Sequence, residues 1–252
     1  MRHLLSRENA EVLAQLAWSR VLLGFDFDGT LAPIVGERDE AQMRMRTAEL
    51  FAKVCWLYPC AVISGRGQGD VSSRLGRAPV KYVMGNHGLE PGASLEDFEL
   101  EVARARAHLE TSLIGWAGVD VEDKRYSLAV HYRKSRQKRL VRSAIYEAVS
   151  CLPEPMRLVA GKLVVNVLPV GAPNKGDALL GLRTTEQADT ALYVGDDVTD
   201  EDVFELDQPG RLLTVRVGES RSSAANYFLR DQREVDRLLA RLVALRQKRS
   251  PP

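Results

Sequence analysis

The sequence has almost no net charge: 35 Lys and Arg stand against 34 Asp and Glu, a formal +1. That excludes a chain that finds nucleic acid through bulk positive field. Long apolar runs are missing as well. No stretch approaches the roughly 18 consecutive apolar residues of a membrane span, and Asp26 and Asp28 end the run Val21-Leu22-Leu23-Gly24-Phe25 early. Met1 through Glu8 carry no apolar core, so the expectation is no signal peptide, no membrane partner and a cytoplasmic location. The cysteines Cys55, Cys60 and Cys151 are odd in number and lack metal-ligand spacing, which reads as reduced thiols. Internal repeats, low-complexity tracts and linkers are absent too. What remains, 252 residues at 45% hydrophobic and 27% charged, is ordinary globular composition, enough for one large domain or a core with a second lobe.

The pattern along the chain is an alternation. Val21–Phe27 is a short apolar run ending in acids, followed by a loop and a helix-like segment from about Thr47 to Leu57. Cys60–Ile63 is a second run, ending at Ser64-Gly65-Arg66, and Thr190–Val194 a third, ending at Gly195-Asp196-Asp197. Short apolar runs between helical patterns predict parallel strands buried on both faces. Ligands in such sheets bind beyond the carboxyl ends of the strands, and all three runs carry their polar residues there.

The stretch from Glu96 to Pro169 differs. Leu95, Phe98, Val102, Leu109 and Leu113 form a roughly helical stripe; Tyr126–Arg133 then alternates, with Tyr126, Leu128, Val130 and Tyr132 sharing one face. Ser135 is placed to cap a helix carrying Leu140, Val141, Ala144, Ile145, Ala148 and Val149. Arg157–Ala160 and Lys162–Leu168 read as strands joined through a tight turn at Gly161. This predicts an α+β lobe inserted into an α/β core, because core-type motifs resume at Asn174. The apolar positions after Arg233 (Val235, Leu238, Leu239, Leu242, Val243) predict a helix packed on the core.

The chemistry-bearing residues sit at the strand ends. In Asp26-Phe27-Asp28-Gly29-Thr30, carboxylates at i and i+2 point the same way on an extended backbone and can converge on a metal and a phosphorus atom where the strand breaks. Four fixed positions of this kind arise by chance about once in a thousand chains of this length. Gly29 permits close backbone approach, and the Thr30 hydroxyl can hold a phosphoryl oxygen. Ser64 and the amides after it can bind phosphate where a helix starts. Asn174 caps a helix with Asp177 as its partner, which places Lys175 where anions gather. In Gly195-Asp196-Asp197-Val198-Thr199-Asp200-Glu201-Asp202, Thr199 and Asp202 fit a capping box, while Asp196 and Asp197 would repel each other without a cation between them. Few hard oxygen ligands favour Mg²⁺ completed by water and substrate phosphate. Each motif also has a plainer structural reading: a capped strand end, an ordinary turn, a solvated lysine.

In order, DFDGT, Ser64, Lys175 and GDDVTD resemble the four motifs of the haloacid dehalogenase (HAD) superfamily of phosphatases. The longer stretches DFDGTLAPI, ISGR, GNHGLE, Glu122-x-Lys124 with His131-Tyr132-Arg133, and GDDVTDEDVF resemble trehalose-6-phosphate phosphatases. The resemblance implies an α/β fold: a HAD-like Rossmannoid core with a parallel sheet, over residues 1–92 and 170–252, and an inserted α+β cap over 93–169. It implies a Mg²⁺-dependent phosphatase that takes a small sugar phosphate, trehalose 6-phosphate, through an aspartyl-phosphate. Asp26 would be the nucleophile and Asp28 the acid and base, with Ser64 and Lys175 on the phosphoryl group. The metal would be held by Asp26, the Asp28 carbonyl and Asp196, with Asp197 and Asp200 in support. Thr30, Arg66, His87, Glu90, Glu122, Lys124, His131, Arg133 and Asn166 would contact substrate. The expected form is a monomer, coupled to a separate synthase. One departure stands out: the family usually carries Glu where this chain has Asn166, and often a basic residue where it has Leu168. Another phosphorylated disaccharide or glycoside, such as sucrose phosphate or mannosyl-phosphoglycerate, is therefore the alternative substrate.

Overall fold

Val21–Phe25 is buried at every position, as a strand covered on both faces must be. The computed structural model describes residues 1–92, 96–161, 163–206 and 208–247. Among them the central sheet contains β1 (Arg2–His3), β2 (Val21–Phe25), β3 (Cys60–Ile63) and β4 (Tyr82–Met84). The inserted strands β5 (Asp120–Asp123), β6 (Leu128–His131), β7 (Met156–Gly161) and β8 (Val164–Pro169) come next, and the central sheet resumes with β9 (Thr190–Gly195), β10 (Leu212–Val217) and β11 (Tyr227–Leu229). The helices are α1 (Ala10–Trp18), α2 (Met45–Leu57), α3 (Gln68–Arg74), α4 (Glu96–Ser112), α5 (Lys138–Ser150), α6 (Lys175–Thr185), α7 (Glu201–Phe204) and α8 (Gln232–Gln247).

The central sheet is parallel throughout, in the order β1-β11-β10-β9-β2-β3-β4. The chain steps outward from β2 through β3 to β4, then returns to β9 on the other flank of β2 and steps away through β10 and β11. The strand order therefore reverses between β2 and β9, and a crevice opens beyond the carboxyl ends of strands at such a reversal. Alternation along β2 divides its side chains between two cores. Val21, Leu23 and Phe25 join Leu192 and Val194 of β9 against Leu13, Phe51, Val54, Leu238, Leu239 and Leu242 from α1, α2 and α8. Leu22 joins Ile63 and Tyr193 against Leu179 of α6 and Val203 and Phe204 of α7. Gly24 falls on this second side, where a Cβ would lie 2.8 Å from Tyr193 Cδ2 and 2.9 Å from Leu179 Cδ1. The missing side chain is the space that Tyr193 occupies.

The chain divides into two compact units, Met1–Gly88 with Asn174–Pro252, and Leu89–Pro173. These boundaries lie outside 93 and 169 because Leu89 and Ala172 pack on Tyr126 within the inserted unit. The insert is an antiparallel sheet, β5-β6-β8-β7. One face, with Leu128, Val130, Val165 and Val167, packs on Val102 and Leu109 of α4 and Val141 and Ile145 of α5.

Several local expectations are corrected here. Tyr126 precedes β6, after a left-handed Arg125 (φ +72°), and packs with Leu89 rather than with Leu128 and Val130. Ser135 does not cap α5: its hydroxyl accepts from the Gln137 amide at 3.2 Å, making a turn one step before the helix, which Gln137 opens. Leu140 faces outward at 60% exposure. Gly161 is the last residue of β7, paired with Val164, and the left-handed residue of the connection is Leu163 (φ +65°). Leu95 and Lys162 lie outside the described residues.

Gly24→Ala tests the link between strand packing and Tyr193. The added methyl should cost about 1–3 kcal/mol of stability through overpacking, measured by thermal or urea unfolding; a wild-type unfolding midpoint would show that Tyr193 has room to move.

Candidate active site

The end of β2 delivers Asp26 into a protein interior. Its amide still belongs to the sheet, donating to Val194 O of β9 at 2.8 Å. Its carboxylate is 7% exposed and accepts from the Lys175 ammonium, Nζ to Oδ1 at 2.8 Å. The same ammonium, 2% exposed, donates to Asp200 Oδ1 at 2.8 Å. Lys175 is the first residue of α6. The helix begins there because Asn174 accepts from the Asp177 amide at 3.0 Å while Asp177 accepts from the Asn174 amide at 3.0 Å, as the sequence predicts.

Asp200 is anchored from three sides. Beyond Lys175, Oδ1 accepts from the Tyr193 hydroxyl at 2.8 Å and Oδ2 from the Asp197 amide at 2.9 Å. The short turn Val198–Asp200 therefore opens at Asp197, with Asp200 reaching back to it, and the box expected between Thr199 and Asp202 gives way to this pair. Asp196 completes the group. Carboxylate oxygens of Asp26, Asp196 and Asp200 lie within 4.8 Å of one another. Two glycines make this crowding possible: a Cβ on Gly29 (φ +81°) would lie 2.1 Å from Asp196 Oδ2, and one on Gly195 would lie 2.2 Å from Asp200 Cγ.

Three carboxylates share one ammonium, and the electrostatics register the shortfall. Burial pushes the Asp26 carboxyl up to about 7, against the pull of Lys175 and with help from Asp200 and Asp28. Burial pushes Asp196 up to about 9, reinforced by Asp26, Asp200 and Asp197. Burial alone would lower the Lys175 pKa, but Asp200 and Asp26 outweigh it, and the ammonium stands well above its ordinary value. Asp196 Oδ1 is buried without a hydrogen-bond partner. An orphaned carboxylate oxygen among three clustered acids fits a hard divalent cation, which would supply the missing positive charge.

The other site residues fall around this group. Ser64 follows directly on β3, is 1% exposed, and accepts from the Arg66 amide at 3.2 Å. Thr30 is fully buried, with its hydroxyl lacking a hydrogen-bond partner. The carboxylate of Asp28 does not join the acidic triad. The strand ends at Phe25, so the shared face of i and i+2 is lost, and Asp28 instead meets Arg66 at 2.6 Å (Nε to Oδ2) and 2.8 Å (Nη2 to Oδ1). Asp197 gives its amide to Asp200 Oδ2, and its negative charge helps raise the Asp196 carboxyl. His87 is left-handed (φ +61°) in the turn after β4, its amide bonded to Ser64 O at 2.9 Å and its ring packed over Gly65.

Glu90, Glu122, Lys124, His131, Arg133 and Asn166 belong to the inserted unit. Glu122 and His131 pair across β5 and β6, Oε2 to Nε2 at 2.8 Å, and Asn166 stands opposite Ala129 in β8. Lys124 lies in the β5–β6 connection, Arg133 just after β6, and Glu90 at the start of the unit. Two residues with clear roles in the geometry escaped the sequence reading. Tyr193 looks like one more apolar strand position. Asp70, which binds Arg66 Nη1 at 2.8 Å, announces itself only by its i+4 spacing from Arg66.

A family model described as trehalose-phosphatase matches residues 24–233. The trehalose-phosphate phosphatase of Mycobacterium tuberculosis is 32% identical over 245 residues, covering 90% of this chain and 62% of that protein. That of Mycobacterium marinum is 32% identical over 237 residues, covering 87% of this chain and 60% of its own. The chain thus spans about three fifths of the length of these relatives. In fold it is similar to the C-terminal domain of C. albicans trehalose-6-phosphate phosphatase, with a TM-score of 0.74 at 22% identity over 94% of this chain and 97% of that one. A trehalose-6-phosphate phosphatase related protein superposes with a TM-score of 0.72 at 23% identity, over 89% of this chain and 97% of that one.

The raised carboxyl pKa values carry a sign. Between the unfolded value near 4 and the folded values of about 7 and 9, the folded protein holds protons that the unfolded chain has released. Stability in EDTA should therefore fall as pH rises from 5 to 9, and a saturating divalent cation should reverse the trend. Thermal unfolding at several pH values checks this; a slope that is the same in Asp196→Asn and unmoved by cation would remove the site from the explanation.

Proposed function

The chain belongs to the trehalose-phosphatase family, and from that premise we propose that it is a Mg²⁺-dependent phosphoric monoester hydrolase that converts trehalose 6-phosphate to trehalose and phosphate through an aspartyl-phosphate. The observation that carries this reading is the Asp26 carboxylate, buried at the strand reversal between an ammonium and an orphaned acid. The reading extends to a monomeric, cytoplasmic enzyme coupled to a separate synthase; none of the described helices is long and apolar enough to cross a membrane.

A carboxylate is a weak nucleophile toward a dianionic phosphate unless charge is neutralised nearby. Lys175 supplies one positive charge directly on Asp26, and Asp200, locked by Tyr193 and the Asp197 amide, keeps that ammonium in place. Asp26, Asp196 and Asp200 are the residues that would hold Mg²⁺, with the Asp28 carbonyl as a further oxygen donor and Asp197 beside them. Bound there, the ion adds positive charge on the phosphoryl oxygens. An Asp26 oxygen bonds to phosphorus as the phosphorus–sugar oxygen bond breaks, and Asp28 gives its proton to the leaving sugar oxygen. Water then attacks the same phosphorus, passing a proton to Asp28. The bond from phosphorus to Asp26 breaks, phosphate departs and both acids return to their starting state. Ser64 and Thr30 offer hydroxyls to the phosphoryl oxygens; the unpartnered Thr30 hydroxyl supports its role.

The inserted unit would read the sugar. Glu122 and His131 share one face of its sheet with Asn166, opposite the face packed on α4 and α5. Lys124, Arg133, Glu90, His87 and Arg66 complete the proposed substrate contacts. Asn166 favours a second reading. A neutral amide grips a sugar diol less strongly than a carboxylate, so another phosphorylated disaccharide or glycoside, such as sucrose phosphate or mannosyl-phosphoglycerate, is the alternative substrate.

Phosphate release from a panel of phosphorylated sugars, with Mg²⁺ and with EDTA, tests the assignment. Trehalose 6-phosphate should be preferred and EDTA should abolish turnover. Asp26→Asn should lower kcat by at least about a thousand-fold with an unchanged circular dichroism spectrum; near-wild-type turnover in that variant would refute the nucleophile.

A further inference from the structure

Asp28 has to be aimed. It sits on a loop, and a carboxylate there rotates about two bonds unless something holds both oxygens. The Arg66 guanidinium does so, with Nε on one oxygen at 2.6 Å and Nη2 on the other at 2.8 Å. Such a two-point grip fixes the plane of a carboxylate, which a single hydrogen bond cannot. Arg66 is itself a long side chain, so its own rotation has to be set. Nη1 donates to Asp70 Oδ2 at 2.8 Å, and the guanidinium carbon lies 5.8 Å from the centre of the buried Phe27 ring. Asp70 is in turn tied one helical turn along α3 to Arg74, Nε to Oδ1 at 2.7 Å. Arg74 is anchored to the Asp39 and Ala41 carbonyls, both at 2.9 Å.

We propose that Asp70 is a positioning residue for the acid–base carboxylate: it holds the Arg66 guanidinium in the rotation whose Nε/Nη2 edge grips both oxygens of Asp28. This rests on the reading of Asp28 in the preceding subsection and assigns Asp70 and Arg66 a task there. Arg66 serves the Asp28 carboxylate rather than substrate alone. Asp70 touches no reacting atom; its effect passes through Arg66. Its side chain is 41% exposed, so its replacement leaves the buried cores intact.

The consequence depends on the leaving group. A sugar oxygen leaves only with the proton that Asp28 gives it as the phosphorus–oxygen bond breaks. p-Nitrophenolate leaves without one, so formation of the aspartyl-phosphate from p-nitrophenyl phosphate bypasses Asp28. The kcat/KM value reports the steps up to departure of that alcohol. In Asp70→Ala it should fall about ten-fold for the sugar phosphate and stay within about two-fold for p-nitrophenyl phosphate, a loss in keeping with mild misplacement of one catalytic group. Asp70→Asn, which keeps an oxygen to accept from Nη1, should recover part of the loss. Equal losses on both substrates would mean a general structural or phosphate-gripping role and overturn the proposal, as would wild-type values on both. Crystal structures of wild type and Asp70→Ala make the test independent of the substrate. Arg66 should turn away from Asp28 only in the variant; a fork still closed there overturns the proposal. If the wild type cleaves neither phosphate, the functional reading fails instead, and the two structures alone decide whether Asp70 sets Arg66.

Discussion

The site is organised around one buried cation. An ammonium withdrawn from water loses several kcal/mol of hydration and is tolerated only where anions surround it. Lys175 meets that condition with Asp26 from the end of β2 and Asp200 from the turn after β9. Two segments far apart in sequence are thereby tied to the first residue of α6. Asp200 can play its part because Tyr193 and the Asp197 amide hold it, and Tyr193 can reach it because Gly24 leaves a gap in the neighbouring strand. A strand glycine, a core tyrosine and a loop aspartate thus act together on the placement of one lysine.

The same arrangement leaves negative charge over. One ammonium does not balance three carboxylates, and Asp196 holds the remainder, with a buried oxygen unpaired and a strongly raised pKa. Left alone, such a cluster destabilises the fold; with a divalent cation and a phosphate it becomes complementary to a reaction whose transition state carries spread negative charge. The glycines at positions 29 and 195 belong to this logic, since any side chain there would collide with the clustered acids. The cost in local stability is concentrated where charge is handled.

Within the inserted unit the division of labour follows the pleat of its sheet. Leu128, Val130, Val165 and Val167 satisfy the helices on one face, which leaves the alternate positions, including Glu122, His131 and Asn166, available for polar chemistry on the other. The pairing of Glu122 with His131 depends on the β5–β6 register, with Asp120 opposite His131 and Glu122 opposite Ala129. A strand as short and polar as Asp120–Asp123 has no apolar alternation to reveal it. Its place comes from its neighbour.

Strand ends with their polar tips, the Asn174–Asp177 cap and the Lys175 it presents were legible in the sequence, because short apolar runs, capping pairs and helix starts are local events governed by neighbouring residues. So was the helix after Arg233, whose apolar spacing survives as the buried face of α8. The partners of each charged group were not. The Asp28 carboxylate lies on Arg66, the Thr199–Asp202 box yields to Asp197–Asp200, Tyr193 looks like one more apolar strand position, and Asp70 shows only its i+4 spacing from Arg66. Those pairings depend on where a side chain points once its strand has ended and on which loop arrives beside it. Local spacing cannot encode that; it is decided when the parallel sheet brings β2, β3 and β9 side by side and burial makes the charged groups of their loops choose partners from what arrives beside them.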